Sequence, residues 1–113
     1  MIVGAAVVEI HIHGSQSLKQ RRGVVRSITR RVRNRFNLSV AEVGGQDTWQ
    51  RALLGLSASG GDEVSVRRVL DRAVAFIEEL NLGEVTGSDV ELVHLTYHES
   101  GWETAGTDED SEE

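Results

Sequence analysis

The chain has 113 residues, no cysteine and a formal net charge of −6 at pH 7. This length is enough for one domain whose core needs neither a metal nor a disulfide, and the lack of cysteine excludes thiol redox chemistry, a thiolate nucleophile and a zinc ribbon. The acidity belongs to the end of the chain, because residues 99–113 hold seven acidic side chains and no base, whereas residues 1–98 carry twelve basic and eleven acidic ones.

Residues 1–13 predict a first strand. Apolar and polar side chains alternate in its second half, and both faces are apolar in its first half. The apolar run 2–8 is too short to span a membrane and has no positive segment before it, so we expect neither a signal peptide nor a membrane span. We therefore expect a cytoplasmic protein without membrane contact.

Residues 15–37 carry eight of the twelve basic side chains and no acidic one. Ser17 is a predicted N-cap for a helix that runs to about residue 34, and the inward stripe of this helix is Leu18, Val25, Ile28, Val32 and Phe36. Five cations share an arc of about 80° on the same helical wheel, and we call them the basic ridge: Lys19, Arg22, Arg26, Arg30 and Arg33.

The basic ridge favours a partner that carries phosphate. Cations four residues apart repel each other, and no acid on this helix relieves them. Arginine outnumbers lysine seven to one in the segment, and a guanidinium binds phosphate oxygens in a bidentate way. The alternative is a solvated charged face. Gly23 costs about 1 kcal/mol against alanine within a helix, which suggests close packing at this point or the approach of a partner.

The remaining elements follow in order. Residues 36–43 predict a second strand, and residues 51–59 a third strand with Ala52, Leu54, Leu56 and Ala58 inward. Asp62 is expected to cap a second helix that ends at residues 81–83. A last strand lies between residues 85 and 97, but two alternating apolar sets compete for its inward face. We expect a domain over residues 1–98 and a disordered acidic tail over residues 99–113.

This order of elements predicts an α+β, ferredoxin-like βαββαβ fold, with a four-stranded antiparallel sheet in the order 4-1-3-2 and both helices on one face. The other face of the sheet then has no cover. It presents an apolar patch, for which we predict a homodimer contact, formed by Val3, Ala5, Val7, Ala41, Val43 and Leu53.

Three sequence blocks carry a resemblance to a known family. They are SLKQRR at residues 17–22, RNRFNLSVAE at 33–42 and QDTWQRA at 46–52. With these three blocks in this order, the chain resembles the YlxP-like family of small bacterial proteins over roughly residues 1–97. The resemblance implies a ferredoxin-like fold and cytosolic, often oligomeric members without an assigned activity or established catalytic residues. It also implies a setting in translation, since family genes tend to lie beside those for initiation and ribosome-maturation factors.

A hairpin loop is the second candidate for partner contact, through Gln46, Asp47, Trp49 and Gln50. An exposed Trp49 can stack on a base or fill a pocket on a partner. The alternatives are that Trp49 folds over the end of the core or against a second subunit, and that Asp47 caps loop amides in an Asx turn.

The other reactive side chains do not predict a site. His11 and His13 leave the same face of a strand, but two ligands do not make a metal site, and we expect exposed or interface histidines. Glu9 and Glu42 suit acid-base work, but no cleft signature accompanies them, and a structural partner such as Arg51 or Arg35 explains Glu42 equally well. The glycine pairs lack a phosphate-binding frame. We predict no metal, cofactor, small-molecule substrate or catalytic residue.

These features favour a non-enzymatic module that binds structured RNA or a ribosomal particle through the basic ridge. The alternative is an oligomeric scaffold whose ridge meets an acidic protein surface, and a third is an enzyme with an unrecognised site. The acidic tail is either a solubility tail or an intramolecular competitor for the ridge.

Overall fold

The computed structural model describes residues 1–45 and 48–96, and the predicted tail lies outside them. The elements follow in the order β1 (Ile2–His11), α1 (Leu18–Arg35), β2 (Ser39–Gly44), β3 (Arg51–Gly60), α2 (Glu63–Leu80) and β4 (Glu84–His94). This βαββαβ order is that of the ferredoxin-like arrangement. No helix in the described ranges is long and apolar enough to cross a membrane.

The four strands form one antiparallel sheet in the order β2-β3-β1-β4, which is 4-1-3-2 when counted from the β4 edge. Side chains at even positions of β1 and β3 are buried together with apolar side chains of both helices in a single core. Because the core lies between the helices and this face of the sheet, the opposite face, which we call the open face, has no covering element among the described residues.

Both predicted N-caps are confirmed. The Ser17 hydroxyl accepts the backbone amide of Gln20 at 3.1 Å, and the Asp62 carboxylate accepts that of Ser65 at 2.8 Å. Each bond satisfies one of the amides that the first turn of a helix leaves without a partner. α2 ends at Leu80, where Asn81 takes the left-handed conformation (φ 54°) that allows the chain to turn into β4.

The inward stripe of α1 differs from the prediction most clearly at Leu18 and Arg21. Leu18 is 38% exposed, because it lies at the first residue of the helix, beyond the end of the core. Arg21 is only 2% exposed. On the helical wheel Arg21 falls between Ile28 and Val32, both of which are fully buried, so the wheel itself carried a signal for an inward-facing arginine.

The register of β4 resolves the competition between its two apolar sets. Val90 pairs with Ala6 and Leu92 with Gly4, so both face the core, whereas Val93 lies on the open face and is 58% exposed. Leu92 fits on this face because Gly4, which lies opposite, has no side chain. A Cβ added to Gly4 would lie only 3.0 Å from Cδ2 of Leu92. A bulge opposite Glu9 and Ile10 shifts the pairing, so that Val85 also pairs on the core side, with Ile10.

Candidate nucleic-acid interface

All five side chains of the basic ridge are exposed. Four of them, Lys19, Arg22, Arg26 and Arg30, make no ion pair or side-chain hydrogen bond within residues 1–45 and 48–96. The ion pairs found in this part of the chain involve other cations, which are His13, Arg21, Arg51 and His94. The repulsion along the ridge is therefore not relieved by any described carboxylate, and an anion laid along the helix would be attracted by several charges at once.

Arg33 is the exception in the ridge, because its guanidinium donates to the backbone carbonyl of Val40 at 2.7 Å. This bond ties the last turns of α1 to the edge strand β2. Arg33 thus contributes charge to the surface and also positions the helix on the sheet.

Arg21 holds the loop between β2 and β3. Its Nη2 donates to the Glu42 carboxylate and, at 2.8 Å, to the carbonyl of Gly45, and its Nε donates to the carbonyl of Arg51 at 2.9 Å. One buried guanidinium therefore binds both ends of the loop. Sequence reasoning missed this role, since it assigned Glu42 to Arg51 or Arg35, and neither of these is the partner.

The predicted contact loop is described only in part. Gln46 and Asp47 lie outside the described residues. Trp49 is 53% exposed and does not belong to the core, which does not fit the alternative in which it folds over the core of its own chain. The side-chain amide of Gln50 donates to the carbonyl of Ser15 at 3.5 Å. Trp49 thus directly precedes a residue that contacts the segment before α1.

A second basic surface, which sequence reasoning did not find, lies between the helices. It is a pocket of about 610 Å³, large enough for a phosphate group, and its lining includes Arg35, Arg68, Arg72 and Phe76. The guanidinium of Arg35 lies 5.0 Å from the ring centroid of Phe76. The signal available in the sequence was the four-residue spacing of Arg68 and Arg72 on the exposed side of α2.

The open face carries the predicted oligomer patch. Val7 is 44% and Val43 55% exposed, and Val3, Ala5 and Leu53 lie on the same face. The centre of the face is made of small residues, because Val7 pairs with Gly55 and Ala5 with Ser57. On the β4 side, Asp89 and Glu91 pair with Val7 and Ala5 and give the patch an acidic border.

Both candidate carboxylates are engaged in ion pairs. Glu42 binds the buried Arg21, and Glu9 binds Arg51 on the open face. The hydrogen bond from Arg51, followed by that from Thr86, holds the pKa of Glu9 below its ordinary value. A general base needs a pKa near the working pH, and the shift of Glu9 runs away from it.

Comparison with known proteins identifies relatives of the whole domain. The model of the family described as "Protein of unknown function (DUF503)" matches residues 3–90. The uncharacterized protein YlxP of Bacillus subtilis (strain 168) is 42% identical over 77 residues, which are 68% of this chain and 84% of YlxP.

Two solved structures are similar to this chain at low identity. The structural-genomics protein YJCS is 10% identical with a TM-score of 0.53, over 81% of this chain and 99% of that one. SnoaB, a cofactor-independent oxygenase from Streptomyces nogalater, is 11% identical with a TM-score of 0.46, over 85% of this chain and 95% of that one. The likeness to YJCS concerns the fold alone.

Proposed function

The chain belongs to the DUF503 family of proteins of unknown function, and we propose that it is a non-enzymatic module that binds structured RNA or a ribosomal particle through the basic ridge. The observation that carries this proposal is the set of four exposed cations, Lys19, Arg22, Arg26 and Arg30, that have no partner among the described residues. Release of counterions from phosphates by such a row of charges supplies most of the affinity of non-specific nucleic-acid binding.

Trp49 adds to the basic ridge a side chain that can orient the RNA by contacting a base. Phosphate contacts position a protein on nucleic acid, but they carry no information about the bases. An exposed indole can stack on an unpaired base, and Arg21 binds Gly45 and Arg51 on either side of Trp49 in the chain. The favoured RNA therefore has a helical part next to a loop or bulge.

The open face supports a homodimer. Exposed apolar side chains surround a centre of glycine, alanine and serine, which lets two sheets approach closely, and a two-fold contact is the commonest way to cover such a patch. The helices then lie on the outer sides of the dimer, so each protomer offers one basic ridge to a large, regularly structured RNA. The setting in translation is part of the proposal and comes from the family resemblance.

Two charge-removing variants of equal net charge test the ridge. We expect the double variant Arg26→Gln/Arg30→Gln to weaken binding of a synthetic RNA hairpin and to lower the slope of log K against log salt by about 0.7 to 0.9 for each phosphate that the protein no longer neutralises. The comparison variant, Arg67→Gln/Arg72→Gln, removes two exposed charges from α2 instead, including Arg72 of the second basic surface. Equal weakening in both variants would mean that the ridge binds RNA no better than the other basic side chains, and the ridge would not be the site.

Crosslinking in cells separates the two partner classes. The proposal predicts that RNA is recovered with the wild-type protein and is not recovered with Arg26→Gln/Arg30→Gln. Recovery of an acidic protein in place of RNA, with the same sensitivity to the substitutions, would contradict RNA binding and favour the scaffold.

A further inference from the structure

His11, His13 and Glu84 form a cluster at one end of the sheet. Their candidate ligand atoms all lie within 4.8 Å of one another. His13 Nε2 donates to Glu84 Oε1 at 2.7 Å, and the rings of His11 and His13 stack with their centroids 4.1 Å apart and their planes 14° apart.

The third member of the cluster comes from strand pairing. Glu84 is the first residue of β4 and lies directly opposite His11 in the β1–β4 ladder. His11 is the last residue of β1 and His13 follows two positions later with its ring stacked on that of His11, so the two histidines offer two ligands, and the neighbouring strand adds a carboxylate beside them. The sequence could not place Glu84 because the register of β4 was open.

The surroundings of the cluster favour a cation. His13 and Glu84 line a pocket of about 490 Å³ together with Glu78 and Asn81 from the end of α2. The last turn of α2 carries no basic side chain, so the negative end of the helix and Glu78 both face this region without compensation from the helix itself. The guanidinium of Arg51, which pairs opposite His11, is engaged by Glu9.

We propose that His11, His13 and Glu84 bind a divalent transition-metal ion of the zinc class. Imidazole nitrogens and a carboxylate oxygen are ligands that zinc accepts, at about 2.0 to 2.2 Å. Ligand atoms in such a site are about 3.3 to 3.5 Å apart, so rotation of the exposed side chains of His13 and Glu84 (66% and 61% exposed) is enough to close it. Three protein ligands leave a coordination position for water or for a group of a partner.

Titration of the full-length protein with ZnCl₂, followed by calorimetry, tests the site. We expect one ion per chain, and each of the variants His11→Ala, His13→Ala and Glu84→Gln should weaken binding by at least about tenfold, the loss that even indirect partners of a metal cause. His94→Ala is the matched control, because His94 Nε2 also lies 2.7 Å from a carboxylate, that of Glu63, but has no third ligand among the residues found to cluster in the described part of the chain.

Absence of binding at millimolar zinc would overturn the proposal. Zinc binding that persists in all three variants would also overturn it, because carboxylates elsewhere in the chain would then hold the ion. The same conclusion would follow if His94→Ala weakened zinc binding as much as the three variants do. Circular dichroism of each variant without metal shows whether the fold is retained. Glu84→Gln keeps the size and surface exposure of the side chain, so this variant still tests the zinc site if a histidine variant fails to fold. The test involves no residue of the basic ridge, so its outcome is independent of RNA binding.

Discussion

The guanidinium of Arg21 donates to the carboxylate of Glu42 across the boundary between α1 and the edge strand β2. Arg21 is 2% exposed and Glu42 is 21% exposed. Arg21 is therefore shielded from water, and its Nη2 and Nε also donate to the carbonyls of Gly45 and Arg51. Such a network fixes the helix, the strand and the ends of the loop relative to one another, because the buried Arg21 has no alternative partner in water.

Removal of one partner should be costly. We expect Arg21→Ala to lower the free energy of unfolding by about 3 kcal/mol, since it leaves the carboxylate of Glu42 without its partner and removes one of the donors to the carbonyls of Gly45 and Arg51. Urea denaturation measures the change. The control is Arg51→Ala, which breaks the exposed pair with Glu9 and should have a much smaller effect. Similar destabilisation in the two variants would show that burial of Arg21 does not matter. If the double variant Arg21→Met/Glu42→Leu recovers the free energy of unfolding, the loss in Arg21→Ala comes from the unpaired charge of Glu42.

Gly23 lies among the residues of the basic ridge, and its replacement by alanine should change stability and RNA binding in opposite directions. An added Cβ would meet no atom of the chain within 4 Å, so close packing inside the chain does not explain this glycine. We expect Gly23→Ala to stabilise the fold by about 0.8 to 1 kcal/mol, the difference in helix propensity, and to weaken RNA-hairpin binding if the RNA backbone comes close to the helix here. Thermal denaturation and a binding titration on the same sample measure the two effects, and a loss of stability would contradict the first.

Gly4 is the matched glycine in the core. A Cβ there would lie 2.6 Å from Val66 Cγ1 and 2.7 Å from Leu70 Cδ1, so Gly4→Ala should destabilise the fold by about 1 to 3 kcal/mol through overpacking. Thermal denaturation checks this change as well. A neutral result would mean that α2 moves away from β1 at little cost.

The sequence predicted the elements and the caps because each depends on local chemistry. The alternation of β3 placed Ala52 and Leu54 in the core, and Ser17 and Asp62 began their helices where a capping oxygen was available. These features need only the neighbours along the chain.

The features that sequence reasoning missed depend on the pairing of distant segments. The bulge opposite Glu9 changes the parity of β4, so that Val85 and Leu92 face the same side although seven positions separate them. Glu84 reaches His11 only through this ladder, and Arg21 reaches Glu42 only because α1 packs against β2. Simple alternation cannot show such contacts, since it assumes an unbroken strand.

The open face predicts a specific response of the oligomeric state. We expect sedimentation at micromolar concentration to give a dimer for the wild type and a monomer for Val7→Asp, because a carboxylate in the centre of an apolar contact loses its hydration and lies beside Asp89 and Glu91. The control is Val64→Asp, which places the same charge on an equally apolar side chain that is 64% exposed on α2. A wild-type monomer, or a dimer that survives Val7→Asp, would rule out this face as the contact.

The cap of α2 makes stability depend on pH. Hydrogen bonds from the backbone amide and then the hydroxyl of Ser65 hold the pKa of Asp62 below its ordinary value, so the ionised cap stabilises the fold above the pKa of the unfolded chain, about 3.9 for an aspartate. As pH falls through the lower folded pKa, this contribution disappears. Asp62→Ala should therefore have a lower urea midpoint than the wild type at pH 6, and the gap should narrow progressively below about pH 4. Asp89→Ala is the control, because this exposed carboxylate accepts no hydrogen bond from the described residues, and its gap to the wild type should stay small throughout. A gap for Asp62→Ala that stays constant between about pH 6 and pH 3 would show that the charge of Asp62 does not contribute to the cap.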